Sequence, residues 1–156
     1  MSYSAADTRI LKALQEDGRL TNQALADKVG LSTSPCWRKV RQLEEDGVID
    51  GYSARINRRA VGLGVLAFIR VKIDSHSEEE SEQFARQVQT LDSVVACYSL
   101  AGDADFLLQV VAKDLDDYAD FAMDEIRRLP RIKEMQSSMV LREIKPFEGY
   151  PLSQLK

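Results

Sequence analysis

The sequence predicts an α+β chain: an N-terminal winged helix-turn-helix over residues 1–48, a wing and linker over 49–64, and a C-terminal ferredoxin-like βαββαβ domain over 65–156. Three observations predict it. Within the first 50 residues, three short amphipathic stretches are punctuated by glycine, and Gly30-Leu31-Ser32 alone joins the second to the third. After residue 64, stretches of strand and helix periodicity follow one another as strand, helix, strand, strand, helix, strand. Charge is also uneven: residues 1–60 carry 10 Lys+Arg against 8 Asp+Glu, whereas 61–156 carry 11 against 17.

In the first helix, Asp7 is placed to cap, Ile10, Leu11 and Leu14 share a side, and Gly18 is the stop. Thr21 is a good N-cap for a short second helix with Leu25 and Val29 inside, and Gly30 suits its left-handed end. The third helix starts between Ser32 and Pro35. Ser32 or Ser34 can cap it, and Pro35 falls in the first turn, where a missing N–H costs nothing. Cys36, Val40 and Leu43 form its inner stripe, and Gly47 ends it. Val48-Ile49 and Tyr52–Ile56 flank Asp50-Gly51, a hairpin signal that predicts the wing.

In the second half, Val65, Ala67, Ile69, Val71 and Ile73 alternate along a strand. Phe84, Val88 and Leu91 line a helix, and strands are predicted over 94–101 and 106–112. Asp114 caps a last helix with the stripe Leu115, Tyr118, Ala119, Ala122, Ile126 and Leu129, closed by Pro130. The final strand lies within 132–145, and the tail from Pro146 is irregular. Two helices cover one face of such a sheet. The other face carries apolar positions in several strands and predicts self-association.

Composition excludes several classes. The formal net charge of −4 and 44% hydrophobic residues are ordinary for a soluble chain. No apolar run approaches the ~20 residues that span a bilayer, so no membrane partner is expected. The N-terminal residues lack a basic region followed by an apolar core, and Cys36 and Cys97 are far apart, so a reducing cytoplasm and free thiols are expected. One histidine, His76, makes a metal site improbable on composition, and neither metal nor cofactor is expected. His76 reads as a solvated loop residue, Cys36 and Cys97 as packing residues, Tyr118 and Phe121 as core and edge aromatics. GxSxG, P-loop and GxGxxG motifs are all missing, so no enzyme is predicted.

Two constellations are candidate sites. Turning 100° per residue from Cys36 brings Ser34, Arg38 and Arg41 to the outer face of the third helix, with Trp37 on a flank and Thr33 among the hydroxyls at its start. Hydroxyls and a helix N-terminus hold phosphates, and Arg can pair with a guanine edge, so this face suits the major groove of double-stranded DNA. Arg55, Arg58 and Arg59 either touch the phosphate backbone or solubilise a linker. The second constellation is the turn Gly102-Asp103-Ala104-Asp105, where two carboxylates bracket a tight turn and glycine admits a close ligand; an ordinary hairpin uses the same residues.

These residues resemble a family. Thr21–Ala26, then Gly30-Leu31-Ser32-Thr33-Ser34-Pro35-Cys36-Trp37-Arg38 through Leu43-Glu44-Glu45-Asp46-Gly47, resembles the DNA-binding domain of Lrp/AsnC (feast/famine) transcriptional regulators. Ala101–Leu108 resembles that family's Gly-Asp-x-Asp turn, and Leu129-Pro130, Ser137-Ser138 and Val140–Lys145 its last helix and strand. The resemblance spans about residues 5–146. It implies a cytoplasmic, nucleoid-associated, sequence-specific regulator that forms dimers and commonly octamers. It also implies a small effector, usually an amino acid, near Gly102, Asp103, Ala104 and Asp105, with Ser137 and Ser138 beside it. The chain departs from the pattern at Ala104, where the family often has an aromatic, and at Trp37, where it often has a smaller residue. Pro35-Cys36-Trp37 and Ser75-His76-Ser77 resemble a branch that answers to cysteine. The alternative is an architectural DNA-binding protein that senses nothing.

Overall fold

The computed structural model describes residues 3–74 and 77–152. By internal packing the chain forms two units. One is residues 3–55 with 145–152, and the other is 56–144.

The first unit is three helices: α1 (Ala5–Glu16), α2 (Asn22–Val29) and α3 (Thr33–Glu45). Ser4, not Asp7, caps α1. The Ser4 hydroxyl accepts from the Asp7 N–H while the Asp7 carboxylate accepts from the Ser4 N–H, a reciprocal box that satisfies two first-turn donors. Asp7 also takes Lys39 from α3 at 2.7 Å, which ties the two helices. Thr21 caps α2 as expected. Gly30 ends it at φ +70°, with Leu31 N–H on the Ala26 carbonyl and Gly30 N–H on the Asp27 carbonyl. That left-handed position is why glycine is needed. Gly30→Ala is expected to cost this unit about 1 kcal/mol, read as a lower urea midpoint in Trp37 fluorescence.

Ile10, Leu25, Ala26, Cys36 and Leu43 meet in the core of this unit, where the 3.6-residue stripes of the three helices converge. Neither Ser32 nor Ser34 caps α3: Ser32 stands at the N-cap position but its side chain makes no capping bond. The predicted hairpin is also corrected. Among the described residues no strand precedes Val65, and residues 51–57 run exposed without a ladder. Asp50-Gly51 supplies a turn signal, but residues 52–56 find no strand to pair with, and Tyr52 bonds to Glu44 of α3 instead.

The second unit begins with β1 (Val65–Ile73) and continues through α4 (Glu78–Val88), β2 (Val94–Ser99), β3 (Phe106–Ala112), α5 (Leu115–Phe121) and β4 (Ile132–Met139). The sheet is antiparallel with order β2-β3-β1-β4, the split βαβ arrangement read from the sequence. Ala67, Ile69 and Val71 of β1 and Phe106, Leu108 and Val110 of β3 face the helices and are buried with Phe84, Val88 and Tyr118. The register leaves Phe68, Arg70, Leu107, Gln109, Tyr98, Gln136 and Ser138 on the opposite face, a mixed rather than an apolar surface.

The last helix differs from the expected stripe. Asp114 caps α5, but the helix widens at once into a π-helical turn (Ala122–Ile126), where Arg127 N–H reaches back five residues to the Ala122 carbonyl. The wider turn keeps Tyr118, Ala122 and Ile126, four apart, on one buried face. Leu115, the first residue of α5, shares that side by period but is 63% exposed. The sequence grouped the end of the chain with the second half. In the structure residues 145–152 instead pack on the first unit, because Leu152 joins its core and Tyr150 bonds to Gln15 of α1.

Candidate functional site

The face of α3 follows from its packing. Cys36, Val40 and Leu43 are buried, so the helix must turn Ser34, Arg38 and Arg41 outward, and all three are exposed. Thr33 is half-buried, and its hydroxyl donates to Gln23 Oε1 at 2.7 Å. It therefore fixes the start of α3 against α2. Pro35 has no N–H and Ser32 gives no side-chain cap, so the amides of Thr33 and Ser34 stand at the positive end of the helix without a partner among the described residues.

The three basic residues of α3 are not equivalent. Lys39 is held by Asp7. Burial would raise the Asp7 carboxyl. The hydrogen bonds from Lys39 and Ser4, with the Lys39 charge, outweigh it and hold the group below its ordinary value. This tie therefore persists at neutral pH and is lost only as pH falls through that depressed value. Arg41 lies 5.4 Å from the centre of the Trp37 ring and pairs with Glu45 at 2.8 Å. The sequence reading missed that pair, although Arg41 and Glu45 stand at the i, i+4 spacing that favours one. Arg38 has no carboxylate partner among the described residues. Of the second cluster, Arg58 donates to the Leu63 and Gly64 carbonyls at 2.8 Å and braces its own turn, while Arg55 and Arg59 are exposed.

Tyr52 and Trp37 border a cleft of about 570 Å³ alongside α1 and α3. The Tyr52 hydroxyl donates to Glu44 at 2.9 Å. Desolvation, then that hydrogen bond and the Glu44 charge, push its phenol from 10 up to about 12. The unfolded chain releases this proton first, so the fold loses stability as pH rises from 10 towards 12. In an absorbance titration, one of the five tyrosines is expected to ionise last, near pH 12, and Glu44→Gln to bring it down.

Neither cysteine is an activated nucleophile. Cys36 is buried as predicted. Cys97 is not the packing residue expected: it sits on edge strand β2, exposed, on the rim of a groove of about 380 Å³ against α4. Desolvation raises both thiols, which keeps them protonated at neutral pH. Tyr118 is buried and Phe121 half-buried, as core and edge aromatics. His76 lies outside the described residues.

In the 102–105 turn the two carboxylates do different things. Gly102 is at φ +154° and exposed, as is Asp103. Ala104 is buried. Asp105 turns inward: its carboxylate accepts the Ile73 N–H at 2.8 Å, its own N–H donates to the Val71 carbonyl, and its carbonyl accepts the Leu100 N–H. It pins the β2–β3 turn to the end of β1. Ser137 also has a partner, the Tyr118 hydroxyl of α5, which donates to it. Ser138 lies exposed on the opposite face of the sheet, beside Phe68. Sequence reading identified this region but missed the inward bonds of Asp105 and Ser137, which no local spacing announces.

Among the described residues no cluster of His, Cys, Asp and Glu could hold a metal, and no helix is long and apolar enough to cross a membrane. Residues 66–150 match the Lrp/AsnC ligand binding domain and residues 4–50 a winged helix-turn-helix DNA-binding domain. The chain is 38% identical over 145 residues to the leucine-responsive regulatory protein of Rhizobium meliloti (strain 1021), covering 93% of each. It is 33% identical to the DNA-binding transcriptional activator DecR of Escherichia coli (strain K12), covering 94% of this chain and 96% of that one. A transcriptional regulator of Neisseria meningitidis solved in complex with L-Met superposes with a TM-score of 0.94 at 39% identity, over 99% of this chain and 100% of that one. An AsnC family regulator of Agrobacterium tumefaciens gives 0.93 at 36%, with the same coverage. The outward basic face of α3 and a βαββαβ unit thus sit in a chain that matches transcriptional regulators over nearly its whole length. The chain belongs to the Lrp/AsnC family of DNA-binding transcriptional regulators, with a winged helix-turn-helix domain and a ligand-binding domain.

Proposed function

We propose that this regulator reads a specific DNA sequence through α3 and changes its DNA affinity on binding an amino acid near the 102–105 turn. The observation that carries the DNA half is Arg38, which stands exposed, with no carboxylate partner among the described residues, on a helix whose opposite side is buried. In this reading Arg38 reaches a base edge, and Ser34 with the free first-turn amides takes a phosphate. Trp37 and Arg41 lie along the flank, and Thr33 supports the helix start. For the effector, Asp103 supplies an exposed carboxylate for an α-ammonium group and Gly102 lets backbone come close to an α-carboxylate. Ala104 and Asp105 hold the turn, with Ser137 and Ser138 on the neighbouring strand.

Sulfur-containing amino acids come first among effectors. The Neisseria meningitidis neighbour was solved with L-Met, and the resemblance around Cys36 points towards cysteine. Dimers through the open sheet face, and further assembly, follow from the family and would present two reading helices to paired half-sites. A cytoplasmic, nucleoid-associated location goes with this role.

One experiment tests both halves. A duplex is selected from a random library with the full chain, and its affinity is measured with each of the twenty amino acids. An affinity change with one or a few of them is expected. Sequence-selective binding that no amino acid alters would favour the architectural alternative, and no selected sequence at all would remove the DNA reading.

A further inference from the structure

β4 and the end of the chain belong to different units. β4 closes at Met139 in the second unit, and residues 145–152 are built into the first. The chain therefore passes between the units twice, once at 55–56 and again at 144–145.

The terminal segment is docked rather than loose. Gln15, in the last turn of α1, offers its side-chain amide as one strand offers its backbone to another. Its Nε2 donates to the Tyr150 carbonyl at 3.0 Å, and its Oε1 accepts the Tyr150 N–H at 2.8 Å. Gly149 just before is at φ +122°, and a Cβ there would lie 2.2 Å from Gln15 Cδ. Glycine alone lets the chain approach this closely. Leu152 then packs on the helical core alongside Leu14, and Phe147 and Tyr150 meet edge to face at 5.2 Å.

We propose that residues 145–152 are a strap through which a change at β4 is delivered to α1 of the DNA-reading unit. The proposal rests on the reading that the second unit senses and the first reads DNA. Only five residues, 140–144, separate the end of β4 from the docked segment. A displacement of β4 that a linker of tens of residues would absorb thus has little slack here. Ser137 and Ser138 lie on β4 itself, so an effector held there acts on the strand that feeds the strap.

The test uses the full chain, Gln15→Ala, and a chain ending at Glu148. Gln15 is exposed and alanine is a better helix former, so α1 persists in the variant. DNA affinity is measured on a library-selected duplex, with and without an equimolar mixture of the twenty amino acids. The mixture is expected to shift the affinity of the full chain by roughly 5–150-fold, the usual range of such coupling. In the two variants the shift should fall to less than about twofold, with amino-acid-free affinity close to that of the full chain. An equal shift in all three proteins overturns the strap.

Hydrogen exchange without any amino acid decides the same point independently of the effector. Faster exchange in the variants both in the last turn of α1 and over residues 137–144 supports the strap. Faster exchange confined to α1 overturns it, because the segment then only braces the first unit. Should the mixture leave the DNA affinity of the full chain unchanged, the effector reading fails, and the exchange pattern still settles whether β4 and α1 are joined.

Discussion

Asp105→Ala is expected to destabilise the second unit by about 1.5–3 kcal/mol, the range for a hydrogen bond to a charged group. The carboxylate accepts the Ile73 N–H at 2.8 Å at the far end of β1. Alanine leaves that amide without its acceptor and frees one side of the turn. Asp105→Asn keeps an acceptor oxygen without the charge and should lose about 1 kcal/mol. Asp103 is exposed, and Asp103→Ala should stay within about 0.5 kcal/mol of wild type.

Urea unfolding followed by far-UV circular dichroism measures this change. Trp37, the single tryptophan, reports the first unit separately and should show an unmoved transition. If Asp105→Ala unfolds like wild type, its carboxylate is not the brace, and both acids of the turn return as equal candidates for the effector. The pair also sorts roles. Loss of amino-acid binding in the stable Asp103→Ala variant points to a ligand contact, whereas loss in Asp105→Ala alone points to a collapsed turn.

That difference between two carboxylates of one turn marks where the sequence stops being informative. The turn itself was legible, because Gly102 and two acids between strand-like runs have a local cause. So were the stripes: Cys36, Val40 and Leu43 on α3, and Ala67, Ile69, Val71 and Ile73 along β1, are buried as their periods require. Which acid turns inward depends on the Ile73 amide, brought there by strand pairing across 32 residues. The strap is further still from local view, since Gln15 and Tyr150 are 135 residues apart and residues 145–152 carry no period at all. Two misreadings have physical reasons of the same kind. The hairpin signal at Asp50-Gly51 is a turn preference, and strands need a partner ladder that residues 52–56 do not find. Leu115 was placed inside by its 3.6-residue period, but as the first residue of α5 it finds nothing among the described residues to cover it and stays exposed.

Arg38→Ala is expected to weaken binding to the selected duplex by about 1–3 kcal/mol, or roughly 5–150-fold, and to leave random duplex nearly unchanged. The substitution does not disturb the fold. Arg38 is exposed, alanine favours helix, and the core of α3 lies on the other side. What disappears is a guanidinium with five donors that no carboxylate among the described residues holds back. Arg41→Ala should lose less, because Arg41 is already engaged by Glu45 and the Trp37 ring and must leave an ion pair to reach DNA. Fluorescence anisotropy on the selected and a scrambled duplex, at several salt concentrations, separates the possibilities. A base contact lowers affinity for the selected duplex alone. A phosphate contact lowers affinity for both and reduces the magnitude of the salt slope by about one. If Arg38→Ala binds both duplexes as wild type does, the reading face of α3 has been assigned to the wrong side chains, and Ser34, Trp37 and Arg41 must carry it.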